Sequence, residues 1–204
     1  MMMDRTIFCF GDSNTYGYDP RSYLGDRYPR EVRWTGLLAG HPGWQVENLG
    51  QNGRSIPCRP GELAQLRRQL EDFGPPDVLT MMLGSNDLLQ SPGFAAADTA
   101  ARMEAFLRQL LALPAFSQGK SRLLLVCPPP MRPGTWVQED RLLTESAALG
   151  NVYAALTQRL GISFADAKEW DIPLLFDGVH FSPEGHRRFA REMARVLEQL
   201  LEDD

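Results

Sequence analysis

Ser13, Asp177 and His180 are side chains whose types fit one chemistry, acyl transfer. That chemistry needs a nucleophile, a base to take its proton, a group to orient the base, and donors for the developing oxyanion. Ser13 stands in Gly11-Asp12-Ser13-Asn14, directly after the apolar run Ile7-Phe8-Cys9-Phe10. His180 can act as base, and Asp177 can fold back onto its imidazole from a loop. The backbone N–H groups of Ser13 and Gly53 and the side-chain amide of Asn86 can point at one spot. Taken alone, Gly-Asp-Ser-Asn is an ordinary turn after a strand. The chemistry requires a fold that brings all five residues to one place.

The apolar pattern supplies such a fold. Apolar runs predict strands over 6–10, 77–83 and 122–127, and 45–49 and 162–164 read as two shorter ones. Helical spacing predicts helices over 33–40, 61–73, 96–113, 139–160 and 183–201, the last with Ser182 as N-cap and Pro183 in its first turn. Strands alternating with longer helices imply a parallel sheet covered on both faces, an α/β/α sandwich. Right-handed crossovers favour a five-stranded, flavodoxin-like order 2-1-3-4-5. No repeat or linker divides the chain, so residues 1–204 are expected to form one domain. Ligands of such sheets bind beyond the carboxyl ends of the strands. Ser13, the segment 48–55 with Gly53, Asn86, the prolines 128–130 and the segment 177–181 all follow predicted strands.

FGDSN around Ser13, Asn52-Gly53, LGSND around Asn86 and DGVH ending at His180 resemble the four sequence blocks of the GDSL/SGNH hydrolases. The resemblance runs over almost the whole chain. It is closest to the bacterial arylesterase-like branch of short-chain acyl esterases, through GDSNTYGYDP, Trp34-Thr35, the three prolines and DGVHFS. It implies the SGNH-hydrolase fold. It also implies a serine esterase acting on short acyl (acetyl or aryl) esters through an acyl-enzyme, with no cofactor. By resemblance Ser13 attacks, His180 is the base and Asp177 orients it. Ser13 N–H, Gly53 N–H and the Asn86 side chain form the oxyanion hole. Asn14 stands where the motif name has Leu. Asn52 precedes Gly53 where many members have Ser or Ala, which leaves Gly50 as the alternative glycine. Members of this branch often form homo-oligomers, and the segment near Trp136 could serve as the contact.

The same site could serve an acyl thioesterase or a carbohydrate deacetylase, and a flavodoxin-like binding module could carry such a triad by coincidence. Several other residues have two readings. Arg54 could bind a substrate carboxylate or sugar, or be an exposed loop arginine. Trp136, Trp170, Ile172 and Phe176 could line an acyl or alcohol pocket, or pack. Asp12, Asn14 and Asp87 are read as shaping their own loops. His41 is expected in solvent, and His186 on or against the C-terminal helix. A metal at His180, His186 and Asp177 is not expected, because no further carboxylate or Cys cluster joins them. Gly119-Lys120-Ser121 lacks the upstream glycine of a phosphate loop, with Pro114 in its place, and no G-x-S-x-G elbow occurs. A net charge of −5 argues against a nucleic-acid partner. Three cysteines without paired spacing, no apolar leader after Met1 and no membrane-length apolar run point to a reduced, cytoplasmic protein acting on a small-molecule ester.

Overall fold

The computed structural model describes residues 4–22 and 24–202. Met1–Met3, which belong to the N-terminus read above as leaderless, lie outside the described residues, as do Tyr23 and residues 203–204. The chain runs β1 (Arg5–Gly11), α1 (Ser13–Tyr16), α2 (Trp34–Leu38), β2 (Trp44–Gly50), α3 (Pro60–Phe73), β3 (Val78–Met82), α4 (Ser85–Gln90), α5 (Ala96–Leu111), α6 (Pro114–Ser117), β4 (Arg122–Cys127), α7 (Asp140–Leu160), β5 (Ser163–Asp166), a 3₁₀ turn (Ala167–Trp170) and α8 (Pro183–Glu202). The five strands form one parallel sheet in the order β2-β1-β3-β4-β5. This is the order expected from the sequence.

Alternation along β1 explains why its apolar run is unbroken. Phe8 and Phe10 pack with Leu66 of α3, Met103 and Phe106 of α5 and Leu149 and Tyr153 of α7. Ile7 and Cys9 face the other way, toward Trp34 and Leu38 of α2 and Phe189 and Met193 of α8. A strand buried on both faces needs apolar side chains at every position. Burial also pushes the Cys9 thiol up to about 12, so it behaves as a small core residue. Ser182 caps α8: its Oγ accepts from Gly185 N–H at 3.0 Å, and Pro183 opens the helix.

The helix expected over 96–113 is shorter than its apolar pattern. It ends at Leu111, and Pro114 starts the separate turn α6. A proline has no N–H to continue the ladder, but it suits a first helical turn. Among the described residues no helix is long and apolar enough to cross a membrane.

The buried side of α8 holds His186, whose Nδ1 accepts a long bond from Trp34 N–H at 3.4 Å. The neutral ring therefore carries its proton on Nε2. Burial pushes this imidazole down to about 3, and the nearby Arg33 adds to the effect. Between there and its ordinary value of 6.5 the unfolded chain binds a proton that the folded chain does not. Stability is therefore expected to fall as pH drops through that window, by up to about 1.4 kcal/mol per unit. Asp12 acts in the opposite sense: burial raises it from 3.8 to about 6, so the folded chain takes up its proton first. Urea midpoints of the wild type and His186→Leu between pH 7 and 4 separate the two contributions. The wild type should lose more stability over this range, and parallel curves would show that His186 is not the source.

Candidate active site

Register places the site. Gly11, the last residue of β1, pairs with Gly50 of β2 and Met82 of β3, so the loops after these strands emerge side by side. Asp12 caps the one-turn helix α1, accepting from Asn14 N–H at 2.9 Å, and Ser13 is its first residue. Ser13 Oγ lies 3.0 Å from His180 Nε2. His180 Nδ1 lies 2.8 Å from Asp177 Oδ2, while Asp177 Oδ1 accepts from the backbone N–H groups of Val179 and His180, each at 2.9 Å. Burial works against the charge on Asp177, but the bonds from the His180 ring and the two N–H groups outweigh it and hold the carboxyl below its ordinary range. A carboxylate at Nδ1 keeps the imidazole proton there and leaves the Nε2 lone pair facing the serine hydroxyl.

The loop that carries Asp177 and His180 is pinned by the chain after β4. Arg132 N–H donates to Gly178 O, Thr135 N–H to Phe176 O and Trp136 N–H to Asp177 O, at 3.0–3.2 Å. Two glycines permit this approach. A Cβ on Gly134 would lie 2.3 Å from the Asp177 carbonyl carbon, and one on Gly178, which has φ +82°, would lie 2.0 Å from Arg132 O. Below the loop, Leu88, Met131, Val137, Leu142 and Val179 form their own apolar cluster. Two rings lie against the His180 imidazole, Tyr18 and Trp136, each with its centroid 4.8 Å away.

Side-chain amides tie the loop after β2 to the helix after β3. Asn86 is the second residue of α4, and one of its side-chain N–H groups donates to Arg54 O at 3.1 Å. Gln90, one turn further on, donates to Gly53 O at 3.1 Å and to Asn86 Oδ1 at 3.2 Å, so it ties the two together. Gly50 N–H, the alternative to that of Gly53, is already bonded to Asn48 Oδ1 at 2.9 Å. Asp87 reaches beyond its own loop. It is fully buried, accepts from Ile56 N–H at 2.9 Å and pairs with Arg102 at 2.8 Å. Burial raises its carboxyl, against the pull of both partners. Arg54 turns inward: its guanidinium donates to the carbonyls of Gly11 and Leu49 and lies 4.0 Å from the Phe10 ring centroid. It ties the ends of β1 and β2 together, and burial lowers it to about 10.

The four residues read as a possible pocket divide. Trp136 and Phe176 are half exposed beside the His180 loop, whereas Ile172 is buried and Trp170 packs edge-on against Phe189 of α8. His41 is not free in solvent: it stacks on Trp44 at 3.9 Å and bonds Glu198 at 3.1 Å. The sequence reading missed Gln90 as a neighbour of the site, although it lies one helical turn after Asn86.

The profile of the GDSL-like lipase/acylhydrolase family matches residues 9–188. The chain belongs to this family. Solved structures agree. An aryl esterase of M. smegmatis is 27% identical with a TM-score of 0.84, the match covering 96% of this chain and 99% of that one. Est24, a carbohydrate acetylesterase from Sinorhizobium meliloti, is 26% identical with a TM-score of 0.81 and the same coverage. A search of curated proteins returned no match. As a member of this acylhydrolase family with esterase neighbours, the protein is a carboxylic ester hydrolase of SGNH type.

Proposed function

We propose that this GDSL-family protein is a serine esterase that hydrolyses short acyl esters through an acyl-enzyme. The observation that carries the proposal is the unbroken chain Ser13 Oγ–His180 Nε2, His180 Nδ1–Asp177 Oδ2, at 3.0 and 2.8 Å. In the first step the Ser13 oxygen bonds to the ester carbonyl carbon while its proton passes to Nε2. The carbonyl oxygen takes the electron pair, facing Ser13 N–H, Gly53 N–H and the second Asn86 amide proton. Collapse breaks the bond to the alcohol, which leaves with the proton from Nε2. Water then enters by the same route, with His180 again as base and then as acid toward Ser13. Donors aimed at the developing charge are worth about 10²–10³ in rate each. No step requires a cofactor. Three cysteines, all free of disulfides, support a cytoplasmic setting.

A specific observation also favours sugar acetates as substrates. A cleft of about 440 Å³ opens beside Gly53 and Gln90, and Gln51, Ser55, Arg59 and Gln65 help to line it. Such walls match a polyhydroxylated alcohol better than an aromatic one. A panel on the purified protein tests the proposal, with p-nitrophenyl esters of increasing acyl length, acetylated sugars and an acyl thioester. We expect acetyl and propionyl esters to give the highest kcat/KM, and acetylated sugars to exceed simple alkyl acetates. Preference for long acyl chains or for the thioester would overturn the substrate assignment.

A further inference from the structure

Asn14 was expected to shape its own loop, and it does more. It is 4% exposed, and all its polar groups are bonded. Its N–H donates to Asp12 Oδ1 at 2.9 Å, and its carbonyl accepts from Trp34 Nε1 at 3.0 Å. Its side chain crosses to the far end of the sequence, where Nδ2 donates to Val179 O at 3.1 Å and Oδ1 accepts from Phe181 N–H at 2.9 Å. Val179 and Phe181 are the two neighbours of His180. A backbone carbonyl only accepts and a backbone N–H only donates, so the orientation of the amide is fixed. Together with the bond from His180 N–H to Asp177 Oδ1, three consecutive residues of the base loop are held.

We infer that Asn14 is the positioning residue that sets His180 against Ser13. The inference rests on the proposed roles of Ser13 and His180. Asn14 adjoins the nucleophile in α1, and its side chain clamps the backbone on both sides of the base. Asn14 thereby ties the helix of the nucleophile directly to the base loop, in addition to the bonds that hold that loop from the chain after β4. Few side chains could replace it. An aspartate would turn an oxygen toward Val179 O, and an apolar side chain would leave Val179 O and Phe181 N–H without this partner. Misplacement of a reacting group by about 1 Å costs on the order of 10²-fold in rate.

The test compares Asn14→Ala and the near-isosteric Asn14→Asp, each alone and combined with His180→Ala, using p-nitrophenyl acetate. Thermal unfolding of each variant identifies the folded ones. In the His180-containing enzyme either change should lower kcat about 10²-fold while KM stays within about threefold. In the His180→Ala background the same change should alter the residual rate by less than about twofold, because a residue that acts through His180 has nothing left to position. Wild-type kcat in a folded Asn14 variant, with His180→Ala inactive, overturns the inference and leaves the proposed triad standing. An equal loss in both backgrounds also overturns it, since Asn14 would then act through the fold or through Ser13. Full activity in His180→Ala overturns the triad itself.

Discussion

Replacing Ser13 by Ala is expected to lower turnover of p-nitrophenyl acetate by about 10⁶-fold, as when the nucleophile of a serine hydrolase is removed. The change deletes one buried oxygen and leaves Gly53, Asn86 and the Ser13 N–H in place, so the fold should be retained and substrate should still bind. The residual rate would come from binding and the oxyanion donors alone. A fluorophosphonate should add its mass to Ser13 in the wild type and fail to label the variant. Unchanged hydrolysis in Ser13→Ala, with an unaltered unfolding midpoint, would falsify the assignment of Ser13 as nucleophile.

Asp177→Asn is expected to lower kcat by about 10⁴-fold with little change in KM. The reason lies in the bonds around the carboxylate. Oδ1 accepts from the N–H groups of both Val179 and His180. An asparagine must keep its oxygen there and turn its NH₂ toward His180 Nδ1. That ring nitrogen would then have to accept, which moves the imidazole proton to Nε2. The ring would keep its place and lose the lone pair that takes the serine proton. Ser13→Ala and Asp177→Asn thus remove different parts of one device, and the double variant should be little slower than Ser13→Ala alone. Near-wild-type rates in Asp177→Asn would mean that another group orients His180.

Elements built from long apolar patterns were readable in the sequence. Arg122–Cys127 was bounded correctly, and the strand order is the one that alternation and handedness favoured among a few. Three short helices were not. The helices α1, α4 and α6 have four to six residues, too few for a 3.6-residue period to show. Their starts are set by Asp12, by Gly84 and by Pro114. The motif residues were found because each sits directly after a strand, or in the loop preceding α8. What they touch was less visible. Asn14 and Asp87 were read as shaping their own loops and Arg54 as a substrate ligand or an exposed loop residue, yet Asn14 and Asp87 bond residues in distant loops and Arg54 holds the end of another strand. Periodicity reports which side of an element a residue faces, and it carries no information about which distant chain lies opposite. Ile172 shows the same limit from the other side, an apolar loop residue that belongs to the core beneath α8.

The nucleophile and the base stand 167 residues apart, at opposite ends of the described chain. A ribosome adds about 5–20 residues per second, so Ser13 is made roughly 10–30 s before His180. Through that interval β1 is also without α8, the helix that covers one of its faces. On the proposed roles, a chain still in synthesis carries the serine and the oxyanion donors and has no base to activate them. Hydrolytic power arrives with the last segment, once α8 can close over the sheet. A message truncated before Asp177 therefore yields no partial esterase.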